Sequence, residues 1–96
     1  MERQRVIELV RTCKPELQAR FGVTRLALFG STARGTASEA SDVDVLVAFD
    51  GPATSARYFG VQFLLEDVLG RPVDLVTERA LRPEFKPFVD RESIDV

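Results

Sequence analysis

The spacing of hydrophobic and polar positions predicts helices separated by short strands. Apolar side chains recur every three or four positions from residue 2 to about residue 21, which is the spacing of one helix face. Pro15 lies inside this pattern and is expected to kink or split the helix. Three shorter apolar runs have the length and composition of strands, namely residues 23–30, 42–49 and 71–78.

A second helix is predicted over residues 55 to 69, because Thr54 or Ser55 can cap its start and Gly70 can end it. Between the first two strands, residues 31–35 predict a brief turn or a single helical turn before a small polar loop. The buried stripe of the second helix is expected to consist of Phe59, Phe63, Leu64 and Val68.

The last segment predicts a helix over residues 79–93 that is broken near Pro83 or Pro87, followed by an irregular end at residues 94–96. Apolar residues recur there at helical spacing, which favours burial in the core over contact with a partner protein. These residues are Phe85, Phe88 and Val89.

The order of these elements predicts an α/β or α+β fold, a small mixed β-sheet of three to four strands with helices packed against it. A chain of 96 residues is expected to form a single domain, residues 1–96, around one core. No apolar stretch approaches the roughly 20 residues of a membrane span. The charged N-terminus does not resemble a secretory signal, and one cysteine, Cys13, fits a reducing compartment, so we expect a cytoplasmic protein with a core thiol.

Charge and composition exclude several classes of function. The net charge is −2, with six basic against three acidic residues up to position 25 and seven against twelve afterwards. Because no basic stripe with interleaved aromatic residues occurs, direct nucleic-acid binding is not expected. The absence of histidine excludes Ser-His-Asp and Cys-His catalysis and histidine zinc sites. Any chemistry must therefore use carboxylates, hydroxyls, basic side chains, backbone groups and a hard metal.

Candidate chemistry begins at the turn after the first strand. Gly30 allows a sharp bend and a close approach of a ligand, and Ser31 can cap the next helical turn, where free N–H groups attract anions. Taken alone, this pair of residues favours an ordinary capped turn over an anion site.

Carboxylates then occur where apolar residues are expected. Asp42 and Asp44 lie two positions apart in a predicted strand and so share a face, and Asp74 interrupts the apolar run of the third strand. For the first pair alone, a Mg2+ or Mn2+ site and a simple strand start are equally good explanations. If the two strands are neighbours, Asp74 can join the pair, and three carboxylates around two metal ions suit phosphoryl or nucleotidyl transfer.

Gly30-Ser31, ten intervening residues and Asp42-x-Asp44 match the G-S-x10-D-x-D signature of the DNA polymerase beta-like nucleotidyltransferase superfamily. The longer string FGSTARGTASEASDVDVLV, in a chain of this length, resembles a minimal nucleotidyltransferase (MNT) domain. The likeness runs from the first helix to the third-strand aspartate, and the segment after about residue 80 adds little to it.

The resemblance implies a nucleotidyltransferase fold and specific roles for the motif residues. Asp42, Asp44 and Asp74 would bind Mg2+, with Asp74 also the base for the attacking hydroxyl. The β- and γ-phosphates of a nucleoside triphosphate would be held by Gly30 and Ser31. Two other residues have less definite roles: Arg34 either contacts the triphosphate or is a surface arginine, and Ser41 shapes the loop into Asp42.

Stand-alone MNT proteins resembling this one pair with HEPN-domain toxins and act as antitoxins that transfer AMP from ATP to a tyrosine of the toxin. The resemblance therefore implies a Mg2+-dependent protein adenylyltransferase with a HEPN partner, in a possible hetero-oligomer. Two alternatives stay open. One is a non-catalytic antitoxin that covers its partner's active site, and the other is a small-molecule nucleotidyltransferase, for example one acting on aminoglycosides, that would need a second subunit.

Overall fold

The computed structural model describes residues 3–35 and 42–96. Residue 41 and the polar loop predicted before Asp42 lie outside the described residues. Helices and strands alternate along the rest of the chain. In chain order they are α1 (Arg3–Phe21), β1 (Val23–Leu28), α2 (Gly30–Arg34), β2 (Val43–Phe49), α3 (Ser55–Leu69), β3 (Val73–Thr77), a 3-10 turn (Glu78–Ala80), α4 (Lys86–Glu92) and β4 (Ile94–Asp95).

The four strands form one mixed sheet in the order β3-β2-β1-β4, which confirms the predicted fold class. β2 runs parallel to β3, whereas β1 is antiparallel to both of its neighbours. The irregular end predicted at residues 94–96 is wrong, because Ile94 pairs with Leu28 and Asp95 pairs with Ala27. The chain returns there to the free edge of β1, whose backbone groups need hydrogen-bond partners.

One face of the sheet packs against α1 and α3 to form the core. Alternate residues of β2, Val43, Val45 and Val47, point to this face and are at most 1% exposed. Leu17 of α1 and Leu65 of α3 are fully buried against them. Because side chains alternate along a strand, Asp44 and Leu46 point to the opposite face. The sheet therefore separates a helix-covered face from the face that carries the acidic residues.

The helix α1 is continuous through Pro15, so no break occurs there. Pro15 is exposed, and the helix on either side is held by Val10, Cys13 and Leu17 in the core. The buried position of Cys13 confirms the predicted core thiol, and burial raises the pKa of this thiol. Among the described residues, none of the helices combines the length and the apolar character needed to cross a membrane.

The predicted buried stripe of α3 is wrong for its two aromatic residues. Phe59 and Phe63 are 47% and 63% exposed, whereas Leu64 and Val68 are partly buried beside the core. Apolar residues occur on nearly every side of this helix, so their spacing does not identify the buried face. The smaller residues Val61, Leu65 and Leu69 fill it instead.

Side chains of α3 also cover the outer edge of the sheet at β3. The Tyr58 hydroxyl donates to the carbonyl of Leu75 at 2.6 Å, and Gln62 Nε2 donates to the carbonyl of Val73 at 3.1 Å. The backbone N–H of Val73 donates to Glu66 Oε2 at 2.9 Å. These bonds satisfy edge groups that would otherwise be available to pair with another chain.

The final helix is shorter than predicted, and its aromatic residues are not in the core. Phe85 and Phe88 are 52% and 61% exposed, and α4 contains no buried residue. Val89 alone is half-buried within the helix. The core on the other face of the sheet is already filled by α1 and α3, so α4 is left as a superficial element.

Candidate active site

Three aspartates gather on the face of the sheet opposite α1 and α3. In the parallel β2–β3 pair, Asp44 and Asp74 are direct partners, and paired residues in neighbouring strands point to the same face. Asp42 precedes β2 by one position and lies two residues from Asp44. The second and third strands are therefore neighbours, which is the condition under which Asp74 was expected to join the first pair.

The electrostatics of the cluster show that the three carboxylates interact. Asp44 is half-buried, whereas Asp42 and Asp74 are exposed. Burial raises the pKa of the Asp44 carboxyl above its usual range, and the charges of Asp74 and Asp42 raise it further. Asp44 and Asp74 are within hydrogen-bond distance of each other, while the Arg34 charge partly opposes the rise. Two carboxylates in such contact repel each other unless a proton or a cation lies between them.

The turn after β1 lies directly against Asp44. Gly30 has a φ of +63°, and a Cβ added there would overlap Oδ2 of Asp44 and lie 3.2 Å from its Cγ. The backbone N–H of Phe29 also donates to the carbonyl of Asp44 at 3.2 Å. Only glycine fits this position without displacing the carboxylate. The Gly-Ser turn and the aspartates thus form one continuous surface.

Arg34, at the end of α2, stands between this surface and α4. Its Nη1 donates to Glu92 Oε2 at 3.2 Å, and its charge acts on the pKa of Asp44. Both roles predicted for Arg34, triphosphate contact and surface arginine, are compatible with this position. Glu92 was not singled out in the sequence, since nothing links it to a residue 58 positions away.

Two other residues of the turn differ in burial. Ser31 is half-buried at the second position of α2. Thr32 is only 3% exposed, and among the described residues its hydroxyl has no hydrogen-bond partner. The sequence offered no signal for Thr32 beyond a polar residue in a turn of small residues. A buried hydroxyl without a partner is uncommon and marks the turn as a place where polar groups are left unpaired.

The donor set is suited to a hard divalent cation. All three residues offer carboxylate oxygens, which are the ligands that Mg2+ and Mn2+ prefer, and the repulsion at Asp44 is the kind that a cation relieves. Within residues 3–35 and 42–96, however, the side chains of no three acidic or cysteine residues are arranged so that they could hold a metal ion. The three aspartates are chemically suited to a divalent cation, and their role as metal ligands stays a prediction.

Comparisons with known proteins agree on one family. A model of the nucleotidyltransferase domain matches residues 10–96. The protein adenylyltransferase MntA of Thermococcus cleftensis is 41% identical over 83 residues, which cover 86% of this chain and 84% of the relative. A solved structure assigned as a minimal nucleotidyltransferase is 38% identical with a TM-score of 0.80, over 100% of this chain and 97% of the other. A chain from the crystal structure of a toxin–antitoxin with AMP-PNP shares the fold, at 23% identity and a TM-score of 0.69, over 99% and 72% of the two chains.

Proposed function

The chain belongs to the nucleotidyltransferase domain family, and on that premise we propose that it is a Mg2+-dependent protein adenylyltransferase that uses ATP. This family takes nucleoside triphosphates together with a divalent metal. One observation carries the proposal for this chain. Three aspartates in or next to two neighbouring strands lie close together, and one of them, Asp44, lies against the turn at Gly30.

One set of these residues would bind the metal, and another would bind the nucleotide. Asp42, Asp44 and Asp74 would hold Mg2+, or Mn2+ in its place. When bound, the metal neutralises the carboxylates and the charge that develops on the phosphate oxygens. The turn at Gly30 and Ser31 would hold the β- and γ-phosphates. Arg34 would contact the triphosphate from the side of α4.

The transfer forms one bond and breaks one. The oxygen of the acceptor hydroxyl forms a bond to the α-phosphorus of ATP, and the bond from that phosphorus to the oxygen bridging to the β-phosphate breaks. Pyrophosphate leaves, and the hydroxyl proton passes to the carboxylate of Asp74. The acceptor must therefore approach on the face of the sheet that carries Asp74.

We propose a tyrosine of a HEPN-domain toxin encoded beside this chain as the acceptor, which makes the protein a cytoplasmic antitoxin. Support comes from the relative named protein adenylyltransferase MntA and from the fold shared with a chain of a toxin–antitoxin complex. A tyrosine hydroxyl would take AMP through an O–P bond and lose its capacity to donate a hydrogen bond.

The test is transfer of label from α-labelled ATP to the HEPN protein in the presence of Mg2+. Wild type and an Asp67→Asn control, whose carboxylate is exposed on α3, should both transfer label. Asp42→Asn/Asp44→Asn should transfer none, and only the proteins with the intact cluster should gain melting temperature from Mg2+ with ATP. Absence of label with wild-type protein would refute the catalytic function.

A second candidate is a non-catalytic antitoxin that neutralises its partner by binding. The exposed Phe85 and Phe88 favour it, since they are suited to contact another protein. Toxicity assays in cells separate the two functions. Silencing of the toxin by Asp42→Asn/Asp44→Asn as complete as by wild type would favour the binding function, and loss of silencing would favour the transferase.

A further inference from the structure

The helix α4 lies on the same face of the sheet as the aspartates. On β1, Leu26 and Leu28 point into the core against α1, so Arg25 and Ala27 point to the opposite face. Arg25 contacts Asp90 of α4 at 3.5 Å on that face. The helix therefore borders the surface from which an acceptor must approach.

Ion pairs connect α4 to the rest of this face at two points. Glu92 at its end pairs with Arg34 at 3.2 Å, and Arg34 acts electrostatically on Asp44. Asp90 pairs with Arg25, which also binds Asp95 at 3.0 Å. These contacts place α4 beside the turn and the aspartates, although no residue of the helix is buried.

The exposed residues at positions 82–91 that do not pair with the rest of this face combine two aromatic rings with an excess of positive charge. We call them the α4 surface, which consists of Arg82, Glu84, Phe85, Lys86, Phe88 and Arg91. The two phenylalanines are 52% and 61% exposed. Among the described residues, neither the three basic side chains nor Glu84 forms an ion pair or a side-chain hydrogen bond, whereas Asp90 and Glu92 pair with Arg25 and Arg34. Aromatic residues exposed next to unpaired cations are typical of a protein-binding surface.

We propose that the α4 surface docks the acceptor protein, through a segment that carries apolar side chains flanked by carboxylates. This inference rests on the proposed function and names the contact that brings the acceptor to Asp74. A second copy of this chain is a poor occupant, since an isologous contact would bring together two surfaces that both carry a net positive charge. The exposed Phe59 and Phe63 cannot serve this purpose, because α3 lies on the far side of the sheet from Asp44.

The experiment compares two matched aromatic pairs with the HEPN protein as the probe. Phe85→Ser/Phe88→Ser removes the proposed contact, and Phe59→Ser/Phe63→Ser removes a pair of similar exposure on the other face. Affinity for the HEPN protein is measured by calorimetry, and transfer of labelled AMP by steady-state kinetics. We expect the first variant to weaken binding at least tenfold and to raise the acceptor KM by a similar factor. Its kcat, its KM for ATP and its melting temperature should stay near wild type, and the second variant should match wild type throughout.

Charge is tested separately with Arg82→Gln/Lys86→Gln. Wild-type affinity for the HEPN protein should fall as salt rises from 50 to 300 mM, and this variant should show a smaller fall. Equal affinity of wild type and Phe85→Ser/Phe88→Ser, or no binding by wild type, would overturn the docking proposal. Wild type that binds but transfers no label would instead refute the proposed function, and the loss of affinity in the variants would still decide where the partner docks.

Discussion

Replacing Gly30 by alanine tests the contact between the Gly-Ser turn and Asp44. The new Cβ would overlap the Asp44 carboxylate, so the carboxylate must move or the turn must open. The backbone contributes separately, because Gly30 has a φ of +63°, which residues with a side chain rarely adopt.

The structure allows these two costs to be separated. The left-handed backbone should cost about 1–2 kcal/mol for alanine, and the overlap with Asp44 about 1–3 kcal/mol more, as for other overpacked sites. In an Asp44→Ala background only the Cβ of residue 44 remains, 3.5 Å from the new atom, which is an ordinary contact. In this background, Gly30→Ala should lower the free energy of unfolding only by the contribution of the left-handed backbone. The coupling free energy between the two sites should therefore be about 1–3 kcal/mol.

The assay is urea unfolding of wild type, both single variants and the double variant, with metal chelated. Gly35→Ala is the control, since Gly35 has a φ of +75° and nothing within 4 Å of an added Cβ. It should show the backbone cost without the overlap. The turn does not contact Asp44 as described if two results are found together. Gly30→Ala would lower the free energy of unfolding no more than Gly35→Ala does, and the effects of the two substitutions in the double variant would be additive to within about 0.5 kcal/mol.

Two further predictions concern the free energy of unfolding. In metal-free protein the raised pKa of Asp44 means that the native state holds this proton more tightly than the unfolded state, so its contribution to stability is lost as pH rises through that pKa. Asp44→Asn should match wild type near pH 3 and be more stable by about 1 kcal/mol at pH 8, the energy of two like charges about 4 Å apart in water; a stability difference that does not grow with pH would contradict this. Glu66→Ala leaves the Val73 N–H unpaired at the edge of the sheet and should lower stability by about 1–2 kcal/mol, with faster hydrogen exchange at Val73 than in an Asp67→Ala control. Unchanged exchange at Val73 would show that Glu66 does not protect the edge.

Much of the fold could be predicted from local patterns in the sequence. Apolar periodicity located α1, α3 and three strands, because it reports which residues of an element face a core. The spacing from Gly30-Ser31 to Asp42 and Asp44 indicated the family, since the turn and the pair of carboxylates are close in the chain. Both predictions depend on interactions within a few residues or within one strand-turn-strand unit.

Other features depend on contacts between distant parts of the chain. The pairing of Asp44 with Asp74 is set by how α3 crosses the sheet to place β3 beside β2, and the ion pair of Arg34 with Glu92 joins residues 58 positions apart. Ile94 and Asp95 form a strand only because β1 has a free edge. The burial of Phe59 and Phe63 on α3 was predicted wrongly for a related reason. A helix that is apolar on most sides can bury any one of those sides, and the packing of the whole chain decides which.

The sequence by itself determined the kind of chemistry, through three carboxylates, a glycine turn and the absence of histidine. The tertiary structure decided that these groups share one surface, that Gly30 lies against Asp44, and that α4 borders the same face. The physical reason is that residue types and local spacing fix which groups can react. Their positions relative to one another depend on strand order and register, which follow from packing the whole chain at once.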